Sequence, residues 1–99
     1  MKGNFQKLIS GKKPVLIDFH ATWCGPCKTL APTIKALVKD VGHKIRIVKI
    51  DIDKNKSLAH KYKIRSVPTL AIFKQGRIVW QESGLKTKAR LIKIVDKHI

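Results

Sequence analysis

Residues 15–20, Val-Leu-Ile-Asp-Phe-His, form a nearly continuous apolar run entered through Pro14 and left through turn-forming residues. A strand with one wet face alternates apolar and polar positions. A run apolar at successive positions reads instead as a strand covered on both faces. The next pattern supplies a cover. Leu30, Ile34, Leu37, Val38 and Val41 recur at spacings of three and four until Gly42, which predicts an amphipathic helix. Pro32 lies inside it, where it removes a backbone donor and crowds the carbonyl of Lys28, so a kink is expected. Ile45–Ile52, rich in Ile and Val, reads as a second strand. The order strand, helix, strand argues for a parallel pair joined by a right-handed crossover.

The flanking segments complete the plan. Asn4 to Ile9 predicts a short helix closed by Gly11, and Asn55 to Tyr62 another, with Asn55 as its cap. Strands are expected at Thr69–Phe73 and Arg77–Trp80, joined by the hairpin signal Gln75-Gly76. Thr87 can cap a last helix with an apolar stripe of Leu91, Ile92, Val95 and Ile99. The expected fold class is α/β, a mixed four-stranded sheet with helices on both faces. No repeat, linker or low-complexity tract interrupts it, so one domain over residues 1–99 is expected.

A chain of 99 residues with 43% hydrophobic content buries roughly two-thirds of its unfolded surface, enough for a core without metal or disulfide staples. No run of about 20 apolar residues offers a membrane span. The first ten residues hold no apolar stretch of signal-peptide length, so a cytoplasmic location is expected. The formal net charge is +16, from 22 Lys and Arg against 6 Asp and Glu. Such an excess admits nucleic acid, anionic membrane or acidic proteins as partners. The lysines are spread from Lys2 to Lys97 with no basic block, and aromatics are few, which favours a solvated basic surface over a dedicated polyanion site.

The two cysteines frame Cys24-Gly25-Pro26-Cys27. At a helix start, residues three apart share one face at about 5–6 Å, the separation a disulfide needs. Cys24 would sit at the helix N-terminus, where unpaired N–H groups and the positive end of the dipole stabilise a thiolate. Pro26 is tolerated in the first turn, where its missing donor has no partner to lose. Cys24 can therefore attack a disulfide and Cys27 resolve the mixed product. A structural zinc site needs four ligands; there is no second Cys-x-x-Cys, and His20, His43, His60 and His98 are scattered. Packing alone does not account for Gly-Pro between the thiols. Three other residues admit two readings each or an ordinary one. Asp18 is either a buried acid or the mark of a wet face, and Trp23 is either a core aromatic or a contact residue. Pro68 is an X-Pro at a strand start, ordinarily trans.

The segment Asp18-Phe19-His20-Ala21-Thr22-Trp23-Cys24-Gly25-Pro26-Cys27-Lys28 resembles the active-site segment of thioredoxins. The likeness extends through Ala31-Pro32, Val48-Lys49-Ile50-Asp51, Val67-Pro68-Thr69, Phe73-Lys74-Gln75-Gly76 and Gly84, in the family's order. It implies the thioredoxin fold and a protein-disulfide reductase. Cys24 would be the exposed nucleophile and Cys27 the buried resolving thiol. Asp18 would accept the proton of Cys27, with Lys49 beside it as a tuning charge. Pro68 would be cis and face Cys24, the Val67 backbone would pair with an extended substrate, and Trp23, Gly25, Pro26, Val67, Pro68 and Gly84 would form a flat apolar contact patch. The resemblance further implies no bound cofactor and no metal. The Cys24–Cys27 disulfide would be reduced by NADPH through thioredoxin reductase, and a monomer would act on disulfide-containing proteins.

Three departures stand out. His20 replaces a Trp frequent in bacterial members; it shares a strand face with Asp18 and either tunes a thiol or fills space. The family's usual first strand is missing, which places Ile45–Ile52 nearer a sheet edge guarded by Lys and Arg. The basic charge contrasts with many acidic members. Two other readings remain at this level: an oxidant or isomerase with the same fold, which the Gly-Pro pair argues against, and a polyanion-binding module, which the charge admits.

Overall fold

A computed structural model describes residues 4–99. The apolar run forms β1 (Val15–His20), followed by α2 (Gly25–Val41) and β2 (Arg46–Asp51) after a short opening helix, α1 (Phe5–Ser10). The second half adds α3 (Lys56–Lys61), β3 (Thr69–Lys74), β4 (Arg77–Ser83) and α4 (Lys88–His98). Among the described residues the sheet has the order β2-β1-β3-β4. β1 and β2 are parallel, with Asp18 opposite Lys49, while β3 runs antiparallel to both β1 and β4. The expected mixed sheet is therefore present, with β2 at one edge.

Both faces of the two central strands are covered, which explains their unbroken apolar runs. Leu16, Leu70 and Ile72 face α2 and α4, whose Leu30, Leu37 and Leu91 pack against them. Ile17, Phe19 and Phe73 face the opposite way, toward Phe5 and Ile9 of α1 and toward α3. Phe5, Tyr62 and Phe73 meet at ring separations of 5.1–5.6 Å, fastening α1 and the end of α3 to β3 by edge-to-face contacts on Phe73. Each fully buried aliphatic side chain in these layers contributes about 1.5–3 kcal/mol.

The helix stripes are narrower than the sequence pattern. α2 buries Leu30, Ile34, Leu37 and Val41 and runs unbroken through Pro32. Val38 is 45% exposed, because the four buried positions already complete the inward stripe and the residue after Leu37 turns past it. α4 buries Leu91, Ile94 and Val95 rather than Ile99, which lies at its exposed end. Thr87 caps α4 as expected, accepting the Arg90 N–H at 3.1 Å. Asn55 precedes α3 but its side chain does not cap it; Nδ2 donates instead to the Asp51 carbonyl at 3.0 Å. β4 extends three residues beyond Trp80, and a bulge opposite Ile72 and Phe73 shifts its register. The hairpin between β3 and β4 turns on Gln75 and Gly76, at φ 52° and 83°, the paired positive angles of a primed turn.

Candidate active site

The chain leaves β1 at His20 and enters α2 five residues later. Cys24 occupies the N-cap: its N–H donates to the Ala21 carbonyl at 3.2 Å and its carbonyl accepts from Lys28 N–H at 3.3 Å, the first helical bond. Its Sγ accepts the Cys27 N–H at 3.1 Å, satisfying one of the amides a helix start leaves unpaired. Pro26 fills the first turn without sacrificing a bond. Cys24 and Cys27 are joined by a disulfide, with Cα atoms 5.3 Å apart.

The segment before β3 comes back to this point. The Val67–Pro68 bond is cis, and the Val67 carbonyl oxygen lies 3.6 Å from Cys24 Sγ. Gly84, just past β4, donates its N–H to the Pro68 carbonyl at 2.9 Å and holds φ +92°, a conformation that favours glycine. A Cβ added at Gly25 or Gly84 would meet nothing within 4 Å, so both glycines border open space. Trp23 is 68% exposed, which rules out the core-aromatic reading. Its indole N–H donates to Asp53 Oδ2 at 2.8 Å, and Asp51 Oδ1 holds the Asp53 N–H at 2.8 Å. Asp53 had no signal in the sequence, since its partner is thirty residues away and only the fold joins them.

On β1, Asp18 is 3% exposed, and its Oδ1 is buried without a hydrogen-bond partner. The buried-acid reading therefore holds. Burial raises its pKa above the ordinary 3.8, and Coulomb interaction with His20 and Lys49 opposes the shift. His20, Cys27, Lys28, Ala31 and Lys49 line a cavity of about 260 Å³ beside the active-site helix. Among the described residues, no three His, Cys, Asp or Glu side chains converge as metal ligands.

One expectation is reversed. Cys24, the thiol expected to be exposed, is 3% exposed, whereas Cys27 is half-buried and opens on the cavity. The cause is local: in the disulfide form Cys24 Sγ is turned toward the Val67 carbonyl and the helix amides. Cys27, one turn inside α2, faces the hollow beside Lys28 and Ala31.

A disulfide closed across the first turn of a helix, at the end of a central strand, defines a thiol–disulfide oxidoreductase. The thioredoxin family model matches residues 1–97, and the chain belongs to that family. It is 47% identical to the thioredoxin of Bacillus subtilis over 85 residues, 86% of this chain and 82% of that one. It is 46% identical to the thioredoxin of Staphylococcus epidermidis over 93 residues, 94% of this chain and 88% of that one. Among solved structures, the thioredoxin of Malassezia sympodialis superposes at a TM-score of 0.90 with 33% identity, covering 98% of this chain and 87% of its own. A mutant thioredoxin from Halobacterium salinarum gives 0.89 with 34% identity, covering 99% and 85%. The activity is accordingly thiol–disulfide exchange with disulfide-containing proteins. No helix among the described residues is long and apolar enough to cross a membrane.

Proposed function

We propose that residues 1–99 act as one domain that reduces protein disulfides, with Cys24 as nucleophile and Cys27 as resolving thiol. The observation that carries this division is the N-cap position of Cys24, whose sulfur accepts the Cys27 N–H at 3.1 Å. The same amide and the helix dipole stabilise negative charge on that sulfur once the disulfide is opened. The electrostatics of the helix start, rather than solvent exposure, distinguish Cys24 as the nucleophile.

The Cys24 thiolate attacks one sulfur of the substrate disulfide. The substrate S–S bond breaks, one substrate thiolate leaves, and a mixed disulfide forms. Cys27 then passes its proton to the Asp18 carboxylate and attacks Cys24 Sγ. The second substrate thiolate departs and the Cys24–Cys27 bond is remade, so two electrons have moved to the substrate. Asp18 suits the proton step because burial favours its neutral form, and Lys49 beside it on β2 restrains that shift. Trp23, Gly25, Pro26, Val67, Pro68 and Gly84 form the contact surface, with the Val67 backbone pairing with extended substrate. A thioredoxin reductase drawing on NADPH restores the dithiol, in the reducing environment of the cytoplasm.

In an insulin-reduction assay Cys24→Ser should lose activity, while Cys27→Ser should accumulate a mixed disulfide visible on a non-reducing gel. Full activity in Cys24→Ser would overturn the assignment.

A further inference from the structure

We propose that the outer edge of β2 is a docking strip for an acidic, extended segment of a partner protein, which adds as a further strand and seats alternate side chains in two hollows. Arg46 N–H donates to the Pro14 carbonyl at 3.1 Å and Ile52 N–H to the His20 carbonyl at 2.9 Å, so the even-numbered residues of β2 face β1. In a strand, alternate residues turn their N–H and C=O to opposite sides, so Ile47 and Lys49 direct theirs outward. Among the described residues no strand receives them. The Asp51 carbonyl is already taken by Asn55, which limits the open ladder to Ile47 and Lys49.

Each side of this edge carries an apolar hollow rimmed by positive charge. On the α2 side, a groove of about 680 Å³ has Pro32, Val38 and Ile47 for its floor and Lys28, Lys35 and Lys49 around it. Val38, turned past the inward stripe of α2, is thereby part of this floor. On the α1 side, a second hollow of about 500 Å³ places Leu8 and Val48 between Lys7 and Arg46. An added strand presents successive side chains to opposite faces, so apolar residues would drop alternately into the two floors while flanking Asp or Glu met the two rims. The charge selects the occupant. A second copy of this chain, itself at +16, would bring like charges together across the seam. A nucleic acid would leave the backbone ladder and both apolar floors unused. Lys28 and Lys49 also border the cavity of Cys27, so a segment seated here runs toward the disulfide without relying on it.

The test uses the peptide acetyl-Glu-Glu-Val-Ile-Val-Ile-Glu-Glu-amide, which contains no cysteine and therefore reports docking separately from thiol exchange. Titration followed by amide NMR should slow hydrogen exchange at Ile47 and Lys49 by at least about tenfold near saturation. The same peptide N-methylated at the residues facing β2 should bind at least about tenfold more weakly. The exposed substitutions Lys35→Glu and Arg46→Glu should each weaken binding at least about threefold. Equal binding of the N-methylated peptide, unchanged exchange at Ile47 and Lys49, no binding of the parent peptide, or tighter binding of oligothymidylate than of the peptide would each overturn the proposal.

Discussion

Asp18 is the residue whose environment works most directly against its charge. Burial holds its carboxyl above the ordinary 3.8, with His20 and Lys49 pulling the other way. The folded chain therefore binds this proton more tightly than the unfolded chain does. Its contribution to stability is fully present below the unfolded pKa and is lost as pH rises toward and through the raised native value. Asp18→Asn removes that loss. The variant should melt several degrees higher than the parent near neutral pH, with a flatter dependence of Tm on pH and a slower resolving step. Thermal unfolding across the acid-to-neutral range checks the first part, and a parent-like slope would refute it. At this scale the sequence was legible where chemistry is local: Cys-Gly-Pro-Cys announces its own helix start. It was not legible where tertiary cover decides, as in the burial of Cys24 beneath the Val67 carbonyl or the Trp23–Asp53 bond.

Among the elements, α4 shows how much rests on one cap. Thr87 accepts the Arg90 N–H at 3.1 Å, and the helix it starts supplies Leu91, Ile94 and Val95 to the core. Thr87→Ala should cost about 1 kcal/mol, read as a lower urea midpoint with an unchanged slope. The central strands were legible because cover on both sides forces a nearly continuous apolar run, and Val15–His20 has the bounds read from its sequence. β4 was read short because Gln81, Glu82 and Ser83 lie on an edge strand whose exposed positions carry no apolar signal. Asn55 misled for a different reason. Its amide had two uses, capping α3 or holding the end of β2, and only the packed structure shows that it bonds the Asp51 carbonyl.

For the whole molecule, charge is the dominant unresolved strain. The sequence sets twenty-two basic residues against six acidic ones, and on a fold with a 12.5 Å radius of gyration like charges repel one another more than in the expanded chain. Exposed pairs such as Lys88–Asp40 at 2.9 Å and Lys44–Asp96 at 3.3 Å offset little of this. Raising sodium chloride from about 0.01 M to about 0.5 M shortens the screening length from about 30 Å to a few ångströms. The melting temperature should rise by several degrees over that range; a flat or falling curve would show the charges to be already balanced.

The disulfide, by contrast, spans only three positions of the sequence. A ring this small restricts the denatured ensemble by only about 2 kcal/mol in the chain-entropy description, against about 4.7 kcal/mol for a loop of a hundred residues. The two apolar layers, not the cross-link, therefore keep the chain folded. The bond can be opened and remade at every turnover while the scaffold that aims it stays in place.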